Sequence, residues 1–200
     1  MRQITRHKSK SMTILFLTGL LVMHSAVMSL TVEGVNFPAT VEMAGKELKL
    51  LGAGVREKWF IDIYTMGAYS ESGSCDTSIQ LKNNEMRYMH IKMLRTVSAK
   101  QIAEAFKDAF GNNTPENASK KLKDTINKAV SYFKQEATKG STFEFTYIPG
   151  EGLVIKQNEK KLGETWKGKD FADVVWNCYF SNRTCCKNLK KGILKTCKAK

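Results

Sequence analysis

An α+β fold, with helices laid over one face of a largely antiparallel sheet, follows from three features of the sequence. Short runs of alternating or β-branched residues crowd the first half. Two stretches with apolar residues at helical spacing then follow, from Ser98 to Phe133. A second pair of alternating runs and a last apolar helix close the order strands, helices, hairpin, helix, which is the α+β pattern.

Residues 1–29 stand apart from that order. Arg2, Arg6, Lys8 and Lys10 precede the apolar run ILFLTGLLVM, Ile14 to Met23, and HSAVMS offers Val27 and Ser29 as small residues before a cleavage point. This is the layout of a secretory signal peptide, and the run is short for a bilayer span of about 20 residues. An uncleaved membrane anchor is the second reading, and no cysteine is present there to carry a lipid. Residues 30–200 then form a single domain, long enough for a substantial core, that is periplasmic or secreted.

Strands are expected at LTVEGV and FPATVEM, and KELKLL leads into LGAGVREKWFIDIYTMGAYS. A tight turn at Glu57-Lys58 would make that stretch a hairpin, with WFIDIYTMGAY as its second arm. EMRYMHIKMLR alternates, with Met89, Ile91 and Met93 on one face and Tyr88, His90 and Lys92 on the other. Ser98 and Gln101 form a capping box ahead of Ile102, Phe106, Ala109 and Phe110. Thr114 and Pro115 suit the start of a second helix, whose stripe runs from Ala118 to Phe133. A hairpin follows over STFEFTYIPGEGLVIKQNEKKLGE, turning at Pro149 to Gly152. Asp170 is expected to cap a helix from Phe171 to Phe180, and a short helix over Leu189 to Leu194 closes the chain.

Charge and motifs exclude several function classes. The formal net charge is +13, and it stays near +9 without the leader, which holds four of 32 basic and none of 19 acidic residues. The lysines spread over helix faces without interleaved aromatics, so nucleic-acid binding is not expected, and a weak attraction to anionic membrane surfaces is. The five cysteines match no zinc spacing, and four of them cluster near the C-terminus. A bridge from Cys185 or Cys186 to Cys197 is expected, with one thiol left over. Beyond the leader His90 is the single histidine, and no hydrolase or metal motif is present, so no metal or cofactor is expected. The Gly52-Ala53-Gly54 run is followed by a strand, not a helix, which rules out a dinucleotide loop. Glycines in a strand point instead to a bulge or to close approach of another backbone or a ligand.

Arg56 is the residue that stands out, an obligate cation between those glycines and a strand that reads as buried. It is either a hairpin-turn arginine in solvent, beside Glu57 and Lys58, or a cation at the pocket end of the strand that needs an acid as partner, Asp62 or the anion of a ligand. Around it the sequence resembles the chalcone isomerase superfamily, and its bacterial exported branch most. The resemblance is carried by GAGVR with IYTMGAY, and by VEGVNFP, LRTVS, YIPGEGLV and KDFA, in order from Val32 to Leu194. It implies an open-faced β-sandwich with a ligand cleft between sheet and helices.

For function, the resemblance puts Arg56 at the arginine that steers an oxyanion in the enzymes, and Tyr64, with Thr65 one place off, at their ketone-polarising threonine. Ile102, Ala109 and Cys178 fall where the enzymes carry tyrosine, asparagine and threonine, so most of that chemistry is missing. The family's fatty-acid-binding members hold a carboxylate with an arginine and a tyrosine. A cofactor-free protein binding a small apolar anion is therefore expected, with Arg56, Tyr64, Thr65, Ile102, Phe106, Ala109 and Cys178 lining its site and the 118–133 stripe serving as lid. An isomerase or intramolecular lyase acting on an enone or chalcone, with Arg56 and Tyr64 as catalytic residues, is the alternative. One β-bulge is needed to bring Tyr64, rather than Thr65, alongside Arg56.

Overall fold

The computed structural model describes residues 29–198; all of the expected leader but Ser29 lies outside them. Seven strands form one antiparallel meander in chain order: β3 (Thr40–Met43), β4 (Lys46–Lys58), β5 (Ile61–Ser70), β6 (Arg87–Met93), β7 (Thr142–Ile148), β8 (Gly152–Gln157) and β9 (Lys160–Lys161). Ahead of them β1 (Ser29–Val32) and β2 (Val35–Pro38) make a separate hairpin. LTVEGV is thus two strand arms around the Glu33-Gly34 turn, and FPATVEM is divided between β2 and β3.

Alternation gives the sheet two apolar faces. On one, Phe37 of β2 packs with Leu48, Leu50, Tyr69 and Tyr88, and its ring fills the space a side chain at Gly67 would need. On the other, Met66, Met89, Ile91, Phe143 and Phe145 meet the helices in the main core. Those helices are α1 (Thr77–Lys82), α2 (Ala99–Asn113), α3 (Lys120–Val130), α4 (Asp170–Phe180) and α5 (Lys187–Lys198). The capping box at Ser98 and Gln101 starts α2. Thr114 does not start the next helix; it ends α2, its hydroxyl donating to the Phe110 carbonyl, and Ser119 caps α3. Lys169, not Asp170, is the N-cap of α4, and it makes no side-chain cap bond.

The closing helix is longer than expected and explains the two glycines. It runs antiparallel to β4, with Ile193 over Gly52 and Leu189 over Gly54. A Cβ at Gly52 would overlap the Ile193 carbonyl, and one at Gly54 would lie 2.9 Å from the Leu189 carbonyl. The Thr196 hydroxyl accepts from the Ala53 N–H at 3.1 Å and completes the clamp. It is a backbone, not a ligand, that approaches there.

The expected disulfide has one partner right, Cys197, and the other wrong. Cys197 pairs with Cys75, across 122 residues, tying α5 to the loop before α1, and leaves Cys178, Cys185 and Cys186 as free thiols. The fully buried arginine is Arg87 on β6, not Arg56. It donates to the Gln80 carbonyl and to Asp173, and lies 4.8 Å over the Trp176 ring, so it fastens α1 and α4 to the sheet.

Candidate functional site

The β4–β5 hairpin turns at Trp59-Phe60, two residues later than expected, and both take left-handed φ values, 54° and 61°. The later turn sets the register. Lys58 pairs with Ile61 and Glu57 with Asp62; a bulge at Ile63 then pairs Arg56 with Tyr64. Tyr64 in turn pairs with Met93 on β6, so the three side chains stand in one row on the helix-covered face. Thr65, one residue on, must take the opposite face, where it is fully buried and its hydroxyl has no partner. Thr65 does not line the cavity, which corrects its place among the expected site residues.

The row opens on a cavity of about 730 Å³, within the roughly 300–1,000 Å³ usual for small-molecule sites. Arg56, Tyr64, Ile63 and Met93 form its sheet side, and Ile102, Phe106 and Ala109 of α2 its helix side. Cys178 and Tyr179 at the end of α4, and Cys185 and Cys186 in the loop before α5, close the wall beside Arg56. No residue of 118–133 lines it. The end of that stripe supports from behind instead: Phe133, just past α3, stacks on Phe106 at a centroid distance of 4.4 Å.

Arg56 is half-buried and makes one hydrogen bond, from Nη1 to the Glu57 carbonyl at 2.6 Å. Among the described residues no carboxylate lies within ion-pair distance of it, and Asp62 instead offers its backbone carbonyl to Arg95. Its other N–H groups are free to meet an anion in a slot whose lining is mainly apolar. Burial, and then the neighbouring Tyr179 and thiols, push the Tyr64 phenol well above its usual range, so it stays a hydrogen-bond donor.

Cys178 lines the wall as expected, whereas Cys185 and Cys186, one of them expected in a disulfide, are both free thiols that line it too. Cys185 and Cys186 lie 2.7 Å apart, sulfur to sulfur. The contact with Cys186 lowers the Cys185 thiol to about 7; burial opposes this and Arg56 adds to it. Cys178 is a wall residue only: it donates to the Ala109 and Val174 carbonyls, and burial raises its pKa. Tyr179 was read merely as part of an apolar helix; its position against Tyr64 depends on a fold-level contact with no local signal. Taken together, the site can bind an anion headgroup at one end of an apolar slot. It also holds an ionisable thiol beside that headgroup.

The profile of the chalcone isomerase-like family matches residues 29–195. The chain belongs to that family. No curated protein matches it in sequence. Among solved structures this chalcone isomerase-like protein is similar to a fatty-acid binding protein of Arabidopsis thaliana, with a TM-score of 0.66 over 86% of this chain and 98% of that one. The two are 17% identical, so the likeness is one of fold: the curled antiparallel sheet with helices on one side is the chalcone isomerase-like architecture.

Proposed function

We propose that this chalcone isomerase-like protein is an exported carrier of an apolar carboxylate, most simply a fatty acid. Arg56 takes the carboxylate, the Tyr64 phenol donates a further hydrogen bond, and the acyl chain runs between Met93 and the α2 residues Ile102, Phe106 and Ala109. The observation that carries this reading is the Arg56 guanidinium, facing a mainly apolar cavity with no carboxylate within ion-pair distance. A buried-side cation left without an acid is costly unless a ligand supplies one. The fatty-acid binding title of the Arabidopsis thaliana structure supports the same ligand class. Export to a bacterial periplasm or to the medium is supported by the leader-like residues 1–29 and by the Cys75–Cys197 disulfide, a bond that persists in oxidising compartments.

Denaturing the purified protein and identifying any released small molecule by mass spectrometry tests the reading. A stoichiometric fatty acid is the expected result. A protein that carries none, and that binds none when titrated, refutes it.

The isomerase reading has one observation in its favour: Arg56 and a neutral Tyr64 donor stand side by side, able to polarise a ketone or receive an oxyanion. Ring closure of a chalcone, lost in Arg56→Ala, would support it.

A further inference from the structure

The described residues contain four two-residue hairpin turns with positive φ at both central positions. Such turns favour Asn or Asp followed by Gly, because residues with a Cβ strain there. Three comply in part: Glu33-Gly34 and Ala44-Gly45 place glycine second, and Asn158-Glu159 places asparagine first. The fourth, Trp59-Phe60, has two bulky aromatics in the left-handed region. Nothing in the protein covers them. Trp59 is 82% exposed, Phe60 96%, and the next residue, Ile61, 40%. They are most of the exposed large apolar side chains of the described residues, gathered at one protruding tip. Neither turn preference nor the core accounts for these residue types, so an external apolar phase is the remaining use.

We infer that the Trp59-Phe60-Ile61 tip inserts into the interfacial layer of an anionic lipid bilayer and docks the cavity mouth on it. Trp and Phe on a hairpin tip suit that layer, the Trp ring offering an apolar body with a polar N–H. The tip is continuous with the mouth, since Lys58, Trp59 and Ile61 line both. Charge favours an anionic surface. Without the leader the chain carries about +9, and α5, whose N-terminal end points toward Arg56, presents Lys187, Lys190, Lys191 and Lys195 along an outer groove without one acidic residue. At the mouth itself Glu57, Asp62, Glu104 and Asp108 offset Arg56, Lys58 and Arg95, so the tip holds by insertion while the lysines act from further off. No described helix is long and apolar enough to cross a membrane. This inference does not rest on the ligand reading; a protein with an empty cavity would dock the same way.

Trp59 is its own reporter, because the other two tryptophans, Trp166 and Trp176, are 2% and 0% exposed. The probe is vesicles of phosphatidylcholine with phosphatidylglycerol, added to the intact protein. Sedimentation with the vesicles and a blue shift of Trp59 emission are expected. Phe60→Gly suits its φ of 61°, so the variant folds and melts no lower than the wild type, yet its vesicle partition falls roughly tenfold, about 1.4 kcal/mol. Phe60 lies outside the cavity wall, and titration of Phe60→Gly with a soluble fatty acid shows whether the ligand reading stands or fails separately. The inference is overturned if wild-type emission does not shift and the protein stays in the supernatant. Partition unchanged in Phe60→Gly and in W59N/F60G also overturns it, as does a wild-type dimer in sedimentation equilibrium that Phe60→Gly dissociates, which would assign the tip to a second copy.

Discussion

Replacing Arg56 by alanine removes a half-buried cation that faces the cavity from the sheet without an acid to pair with. Nη1 is committed to the Glu57 carbonyl, so a ligand carboxylate would meet the remaining N–H groups of a half-buried guanidinium. At about 4 Å and an effective dielectric near 20 the bare attraction is about 4 kcal/mol. Desolvating the carboxylate takes back part of this, and hydrogen bonds to charged groups retain about 1.5–3 kcal/mol net. Arg56→Ala should therefore weaken fatty-acid binding by about 10- to 150-fold. Arg56→Lys, which keeps the charge but loses the fork, should fall between the two. Isothermal titration with a soluble fatty acid, beside a thermal melt to show that the fold survives, measures both. Affinity within a factor of about two of wild type in a folded Arg56→Ala protein would refute the reasoning, because the whole term assigned to the anion would be missing.

Other outcomes follow from the same geometry. The contact with Cys186, and then the Arg56 charge, lower the Cys185 thiol, so raising the pH turns it into a second anion beside Arg56. A bound carboxylate stays ionised throughout this range, so its affinity should fall as pH rises through about 7, and Cys185→Ser should flatten the profile; an affinity that rises instead would reverse the sign argued here. Cys75→Ser opens a bridge that spans 122 residues and should cost about 2–5 kcal/mol, lowering Tm by roughly 5–15 °C; an unchanged melt would mean the tail is held by its packing alone. Gly54→Ala sets a Cβ 2.9 Å from the Leu189 carbonyl, so α5 must shift, at about 1–3 kcal/mol in a chemical-denaturation curve, and no loss would show that α5 does not lie so close.

Most of the architecture was legible because it follows local patterns. The alternation of Met89, Ile91 and Met93, the capping box at Ser98 and the α2 face each survive in the structure. The departures have physical causes. Polar Glu57-Lys58 resembles a turn more than Trp59-Phe60 does, so the hairpin was expected two residues early, and an aromatic turn has no signal in turn propensities. That error would have paired Arg56 with the wrong neighbours, and the bulge at Ile63 brings Tyr64 beside it. Cys75 is remote in sequence from Cys197, and nothing local announces that the α1 loop and the end of α5 meet. The Gly52-Ala53-Gly54 run signalled a close approach without naming α5 as the element that approaches. Placing the vicinal thiols at the mouth needed that same packing.

The central claim is that an acyl carboxylate sits on Arg56 with its chain under α2, and the structure of the protein soaked with a long-chain fatty acid tests it most directly. The account predicts a carboxylate oxygen within about 3 Å of the Arg56 guanidinium and carbon density along Ile102 and Phe106. A headgroup on the lysines of α5, or a chain lying outside the cavity with Arg56 untouched, would contradict it.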